Sequence, residues 1–134
     1  MPSVEFIVDG VPVSAQTKNE ALKAAYCKKV GQSAQNAMSG LPLYAGPVHL
    51  DARIFLLRRI RPDIDNVAKL LQDILEGIVY HNDRQIYDTV LKVRDMDEPF
   101  RMMGVSPLLA QALTGNSSFM YVRVTTEIDR TVIA

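Results

Sequence analysis

Residues 61–86 place three carboxylates at the two ends of one segment, with a lysine between them. Asp63 and Asp65 stand near the beginning of the segment, and Asp83 stands near its end. Mg²⁺ in proteins usually takes oxygen ligands from one to three carboxylates, together with water and substrate phosphate. Three aspartates brought together without a cation would repel one another and destabilise the fold locally. Such a cluster therefore either binds a metal ion or does not form.

An amphipathic helix is predicted between the two ends of this segment. Asp65 with Asn66 is typical of a helix start, because a short polar side chain there accepts a hydrogen bond from an unpaired backbone N–H. Gly77 predicts the end of the helix. Apolar residues recur at spacings of three and four, which predicts one buried face. The residues of that face are Val67, Leu70, Leu71, Ile74 and Ile78. Asp65 and Lys69 are one turn apart, so they point the same way.

Hydrophobic alternation and turn residues predict the other elements. The clearest strand is 48–58, where apolar and polar residues alternate and lead directly to Asp63. At the start of the chain, Asp9-Gly10 between two alternating runs predicts a hairpin. In chain order we predict a strand at 4–8, its hairpin partner from Val11, a helix at 19–39, strands at 48–58 and 85–93, a short helix at 106–114 and a last strand at 118–128.

This order of elements predicts one α+β domain over residues 1–134, a two-layer arrangement with a mixed sheet and helices packed on it. Residues 95–118 are expected to form a variable loop and a short helix. The strands on either side of the central helix could pair in parallel through a crossover. That pairing would place Asp83 at the opposite end from Asp63, so two arrangements of the three carboxylates stay open at this point.

Composition excludes several classes of protein. Nearly half of the 134 residues are apolar and 22% are charged, which argues against a disordered chain. A single cysteine, Cys27, rules out an internal disulfide and fits a reducing compartment. No run approaches the roughly 18 apolar residues of a membrane span, and the opening MPSVEFIVDG lacks the form of a signal peptide. We expect a cytoplasmic protein with no membrane partner.

Two motifs together carry a family resemblance. Residues 63–69 have the pattern Asp-x-Asp-Asn-x-x-Lys, and residues 82–86 are Asn-Asp-Arg-Gln-Ile. The combination resembles the RusA-like endodeoxyribonucleases, Holliday junction resolvases common in phages and prophages, whose second motif is Asp-Asp-x-Gln-Val/Ile. Here Asn82 replaces the first acid of that motif, and Asp83 retains the second. The opening VEFIVDGVPVSAQTK is also similar to the family, and the resemblance covers residues 4–94 and the last strand.

The resemblance implies a Mg²⁺-dependent endonuclease that resolves four-way or branched DNA by paired, symmetric nicks in recombination and repair. Asp63, Asp65 and Asp83 would then be catalytic and would hold one or two Mg²⁺, or Mn²⁺ in their place, which polarise the scissile phosphate and activate a water. Lys69 would be the fourth catalytic residue, placed against the developing charge or orienting the water. Two symmetric nicks need two active sites, which implies a homodimer.

Charge gives weaker support for DNA as a partner. The formal net charge is zero, whereas contacts to phosphate dominate the affinity of proteins for nucleic acid. Arg58, Arg59 and Arg61 precede Asp63 directly and could hold the phosphates that flank the scissile bond. Their alternative acidic partners within the domain are Asp88, Asp95 and Glu98. Lys18 stands where the family has a basic stretch, and it is a further candidate DNA contact.

Two other classes of function stay open. One is a non-catalytic module that binds DNA junctions or single strands, which the replacement of an acid by Asn82 favours. The other is a small metal-binding interaction domain, favoured by the zero net charge and by the Met- and Leu-bearing segment 102–113. At the level of single residues, Asp65 could be only a helix cap and Lys69 only its partner in a salt bridge.

Overall fold

Four strands form one mixed sheet in the computed structural model, which describes residues 3–13, 16–57 and 62–126. The strands are β1 (Ser3–Asp9), β2 (Val48–Leu56), β3 (Ile86–Asp95) and β4 (Phe119–Thr125). Their order across the sheet is β1-β4-β2-β3, with β2 and β3 parallel and the other two neighbouring pairs antiparallel. The predicted α+β class with a mixed sheet is therefore confirmed.

The helices cover the two faces of the sheet unequally. Helices α1 (Glu20–Met38) and α2 (Ile64–Leu75) pack on one face, where the larger core lies. The short helix α3 (Pro107–Leu113) packs on the other face over a smaller cluster around Phe55 and Phe119. In the described part of the chain, no helix has the length and apolar character needed to cross a membrane.

Parallel pairing of β2 with β3 decides where the two acidic motifs lie. Val48 is the partner of Ile86 at one end of the pair, and Leu56 is the partner of Asp95 at the other. The chain must therefore return along the length of the sheet between the two strands, and α2 makes that return. The parallel alternative is therefore the one that the structure shows, and it separates the residues before α2 from those before β3.

The hairpin predicted at the start of the chain is wrong. β1 ends at Asp9, and Gly10, with a φ of 95°, turns the chain while its N–H donates to the carbonyl of Ser118 at 2.8 Å. Residues 11–13 form no strand, and Pro12 among them has no N–H to offer to a ladder. β1 pairs with β4, the strand farthest from it in sequence.

Candidate active site

Asp63 is the residue that caps α2. Its carboxylate accepts a hydrogen bond from the backbone N–H of Asn66 at 3.5 Å and from the side-chain amide of Asn66 at 2.7 Å. The predicted start at Asp65 is therefore two residues too late. Asp65 lies in the first turn, where a negative charge is favourable beside the helix N-terminus. Both acidic side chains of the first motif are exposed.

Asp65 and Lys69 line one open cavity between α2 and β3. The cavity has a volume of about 440 Å³, and Gln72, Thr89 and Leu91 also line it. Gln72 donates to the hydroxyl of Thr89 at 2.9 Å, which ties the outer side of the helix to the edge strand. The predicted shared direction of Asp65 and Lys69 is confirmed. An acid and a cation thus meet at a surface that is open to a large substrate.

A short 3-10 helix, Asp83–Gln85, carries the second motif. Asn82 caps it, because its side-chain oxygen accepts from the N–H of Arg84 at 2.8 Å. The Gln85 side-chain oxygen accepts in return from the N–H groups of His81 at 2.8 Å and Asn82 at 2.9 Å. Asn82 therefore performs a structural task at the position where the family has an acid.

Gln85 also fixes this turn to the loop before β2. Its amide nitrogen donates to the carbonyl oxygens of Tyr44 at 2.7 Å and Gly46 at 2.9 Å. A glutamine supplies both the acceptor and the donors that this arrangement uses. The structure therefore gives the Gln of the second motif a physical role that the sequence alone did not reveal.

Glu76 holds the backbone of Asp83. One oxygen of its carboxylate accepts from the N–H of Asp83 at 2.9 Å, directly after the end of α2. Tyr80 is buried beside them and donates to the carbonyl of Gln72 at 2.6 Å. Burial raises the pKa of the Tyr80 hydroxyl, and the charges of nearby Glu76 and Asp83 raise it further. The sequence does not predict this contact, although Glu76 stands on the polar face of the predicted helix.

The two acidic motifs lie far apart within the chain. Asp83 contacts Glu76, and a helix rises about 1.5 Å per residue, so Asp65 lies roughly 16 Å from Glu76 along the axis. Within residues 3–13, 16–57 and 62–126, no group of three or more His, Cys, Asp or Glu side chains is placed to hold a metal ion. The expected convergence is thus absent from the single chain, and the assignment of Asp63, Asp65 and Asp83 as metal ligands stays a prediction.

Of the four candidate DNA contacts, the structure describes only Lys18. Lys18 is exposed in the loop before α1. Arg58, Arg59 and Arg61 lie outside the described residues, so their contacts stay predictions. Asp88, one of their alternative partners, lies 3.4 Å from the ring of His49.

Comparison with known proteins identifies the family to which these residues belong. A search of curated proteins finds no match to the chain. The family model for endodeoxyribonuclease RusA matches residues 12–102, about two thirds of the sequence. The matched residues run through α1, β2, α2 and β3 and include both acidic motifs. The chain therefore belongs to the RusA endodeoxyribonuclease family.

Proposed function

We propose that this protein is a Mg²⁺-dependent endonuclease that cuts four-way or branched DNA as a homodimer, in recombination and repair. The observation that carries the proposal is the position of Asp65 and Lys69, which line one open cavity at the start of the helix that bears the family's first motif. A phosphodiester lying in this cavity would meet a carboxylate and a cation together.

The donor set fits a hard cation. Asp63, Asp65 and Asp83 are exposed carboxylates, and no ion pair involves them among the described residues. They would hold Mg²⁺, or Mn²⁺ in its place, with water and phosphate oxygens completing the shell. The metal would polarise the scissile phosphate and lower the pKa of the attacking water.

The protein's own residues prepare this site in advance. Asn66 orients the Asp63 carboxylate through its amide, at 2.7 Å. Lys69, fixed one turn after Asp65 on a rigid helix, would place its positive charge against the charge that develops on the phosphate oxygens. On the other side, Glu76 fixes the backbone from which the Asp83 side chain projects.

A dimer would bring the separated motifs together. Because α2 places Asp65 and Asp83 at its two ends, the proposed site takes Asp63, Asp65 and Lys69 from one protomer and Asp83 from its partner. Two-fold symmetry repeats this combination twice, once for each strand that is cut. Paired nicks would then follow from dimerisation, since neither protomer alone would hold a complete site.

A cleavage assay tests the proposal. The purified protein is incubated with a mobile four-way junction, a linear duplex and a single strand, each with Mg²⁺ or with a chelator. We expect cleavage of the junction in Mg²⁺ and none in chelator. An intact junction at every protein concentration in Mg²⁺ and in Mn²⁺ would contradict the proposed activity.

The separation of the carboxylates favours a second candidate, a non-catalytic protein that binds DNA junctions. In that case the polar residues of the two motifs would have only structural roles, such as the helix caps that Asp63 and Asn82 form. Retarded migration of the junction in a gel without any cleavage, at concentrations where the protein is dimeric, would support this candidate.

A further inference from the structure

A basic cavity lies on the face of the sheet opposite α1 and α2. Its volume is about 260 Å³, and it lies between strands β2 and β3 and the segment 100–103. Its four cations are Arg53, Lys92, Arg94 and Arg101. No acidic residue lines it in the part of the chain that the structure describes. In a protein of zero net charge, this concentration of positive charge favours an anionic ligand.

The pairing of β2 with β3 places the basic residues of this cavity next to one another. Arg53 on β2 is the partner of Lys92 on β3, and Phe55 is the partner of Arg94. Lys92 and Arg94 are two residues apart, so they share a face and stand roughly 6.6 Å apart along the strand. Both are exposed, and β3 is an edge strand. An extended anionic chain could therefore follow this edge and meet two cations in succession.

The charge of the cavity is only partly neutralised from within. Arg53 forms an ion pair with Asp51 at 3.2 Å, so its charge is partly offset. Arg94 donates to the carbonyl of Val93 at 2.8 Å, a contact that leaves its positive charge intact. Lys92, Arg94 and Arg101 thus carry the positive potential of the cavity.

The other side of the cavity is apolar. Phe55 is buried at the floor and stacks on Phe119 with 5.0 Å between ring centroids. Phe100 tilts against Phe55 at 5.7 Å and is half-buried. Met103 is 84% exposed, the largest exposed fraction among the large apolar residues that the structure describes. Phe100 and Met103 therefore offer apolar surface directly beside the cations.

We propose that this cavity binds one nucleotide of an unpaired DNA strand, with its phosphates against Lys92, Arg94 and Arg101 and its base against Phe100 and Met103. A cationic groove beside an aromatic side chain is the usual chemistry of single-strand binding. A duplex buries its bases in the stack, so only an unpaired base can reach Phe100. The proposal rests on the proposed function, since it supplies a second contact for a branched DNA substrate.

The position of the cavity makes it a separate contact surface. It faces away from α2, whereas the cavity lined by Asp65 and Lys69 lies on the helix-covered face. Phe100 and Met103 stand at the end of the family match or beyond it. The apolar wall therefore belongs to the segment between β3 and α3, and it extends the DNA contact around the edge strand.

Binding of a fluorescent oligothymidylate in chelator tests the basic side. We expect Lys92→Gln with Arg94→Gln to weaken binding at least about tenfold and to lower the slope of log affinity against log salt by about 0.7 for each cation removed. Lys28→Gln, an exposed lysine of α1 on the other face, is the control and should leave affinity and slope unchanged. Equal affinity of the double variant and the wild type would overturn the proposal.

An abasic oligonucleotide of the same length tests the apolar side. The wild type should bind the oligothymidylate at least about fivefold more tightly than the abasic strand, because one stacked base is lost. Phe100→Leu should remove that preference, and Met103→Ser, which changes an exposed side chain, should reduce it without affecting folding. Equal binding of both strands by the wild type would overturn the base contact. An aspartate-rich peptide that binds more tightly than DNA would identify a protein partner and contradict the proposal.

The outcome separates this proposal from the nuclease proposal. Oligothymidylate binding is measured without metal and uses none of the three aspartates. In one outcome, the wild type cuts the junction while the double variant at positions 92 and 94 binds the oligothymidylate normally. That result would contradict only the proposal that the cavity binds DNA. In the opposite outcome, the protein binds the oligothymidylate through these residues and never cuts a junction. That result would contradict only the proposed nuclease activity.

Discussion

Glu76 accepts a hydrogen bond from the backbone N–H of Asp83 at 2.9 Å and so links the end of α2 to the turn that carries the third aspartate. Glu76→Ala should lower the single-turnover rate of junction cleavage roughly tenfold, the lower end of what losing a residue that orients a metal ligand costs. Glu76→Gln keeps an acceptor oxygen and should retain most of the rate. Equal rates for the alanine variant and the wild type would show that Asp83 needs no such support.

Asp65→Asn should reduce junction cleavage by orders of magnitude, because an amide is a poorer ligand for Mg²⁺ than a carboxylate. Junction binding in chelator should change little, since contacts to phosphate do not depend on this acid. Asp73→Asn, exposed on the same helix, is the matched control and should cut normally. Gel-shift titration and the cleavage rate are the two measurements. A wild-type rate for Asp65→Asn would exclude the proposed metal site.

Lys69→Ala should lower the cleavage rate at saturating DNA more than it lowers affinity, because in the proposed mechanism its charge acts on the transition state. Lys69→Arg keeps the charge at a different geometry and should restore part of the rate. Single-turnover kinetics at increasing protein concentration separate the two quantities. A variant that binds weakly but cuts at the normal saturated rate would reassign Lys69 to binding.

Mixed dimers test the sharing of the site between protomers. Asp65→Asn and Asp83→Asn protein should each be inactive alone. Coexpressed, they should form heterodimers in which one shared site lacks both acids and the other is intact, so nicking should return. If each protomer carried a whole site, every site of the heterodimer would lack one acid. Heterodimers purified with two affinity tags and no nicking activity would contradict the shared arrangement.

We expect the stability of the fold to decrease at alkaline pH because of Tyr121. Burial, followed by the hydrogen bond that its hydroxyl donates to Glu5 at 2.5 Å, raises its pKa from 10.0 to about 12. A pKa raised by folding contributes stability that is full below pH 10 and is lost as the pH rises toward 12. Urea unfolding between pH 9 and 12 should show this loss, and Tyr121→Phe should make the profile flatter. An unchanged slope in the variant would assign the loss to the other buried tyrosines.

Local chemistry made much of the fold predictable. Asn19 accepts from the N–H of Leu22 at 3.0 Å, and Ser106 accepts from the N–H of Leu109 at 3.2 Å, so both caps lie where short polar side chains precede helical patterns. The hairpin prediction was wrong because it also depended on local sequence alone, the Asp9-Gly10 turn between two alternating runs. Gly10 does turn the chain, but its N–H bonds to Ser118, a residue that no short window of sequence connects to it.

In the candidate site too, local features were predictable from the sequence and long-range contacts were not. The shared cavity of Asp65 and Lys69 follows from the spacing of one helical turn and was predictable. The position of Asp83 depends on how β2 pairs with β3, which is a long-range choice. The contact from Glu76 depends on how the chain turns after α2 at Gly77, whose φ is 86°. Neither could be read from residue types alone.

Gln85 links the acidic turn to a loop about forty residues earlier in the chain. Its four hydrogen bonds join the N–H groups of His81 and Asn82 to the carbonyls of Tyr44 and Gly46. A substitution in that loop can therefore shift the position of Asp83 although it changes no acidic residue of the sequence. Under the proposed mechanism, variants that alter only the path of residues 44–46 should lose nuclease activity although both motifs keep every residue.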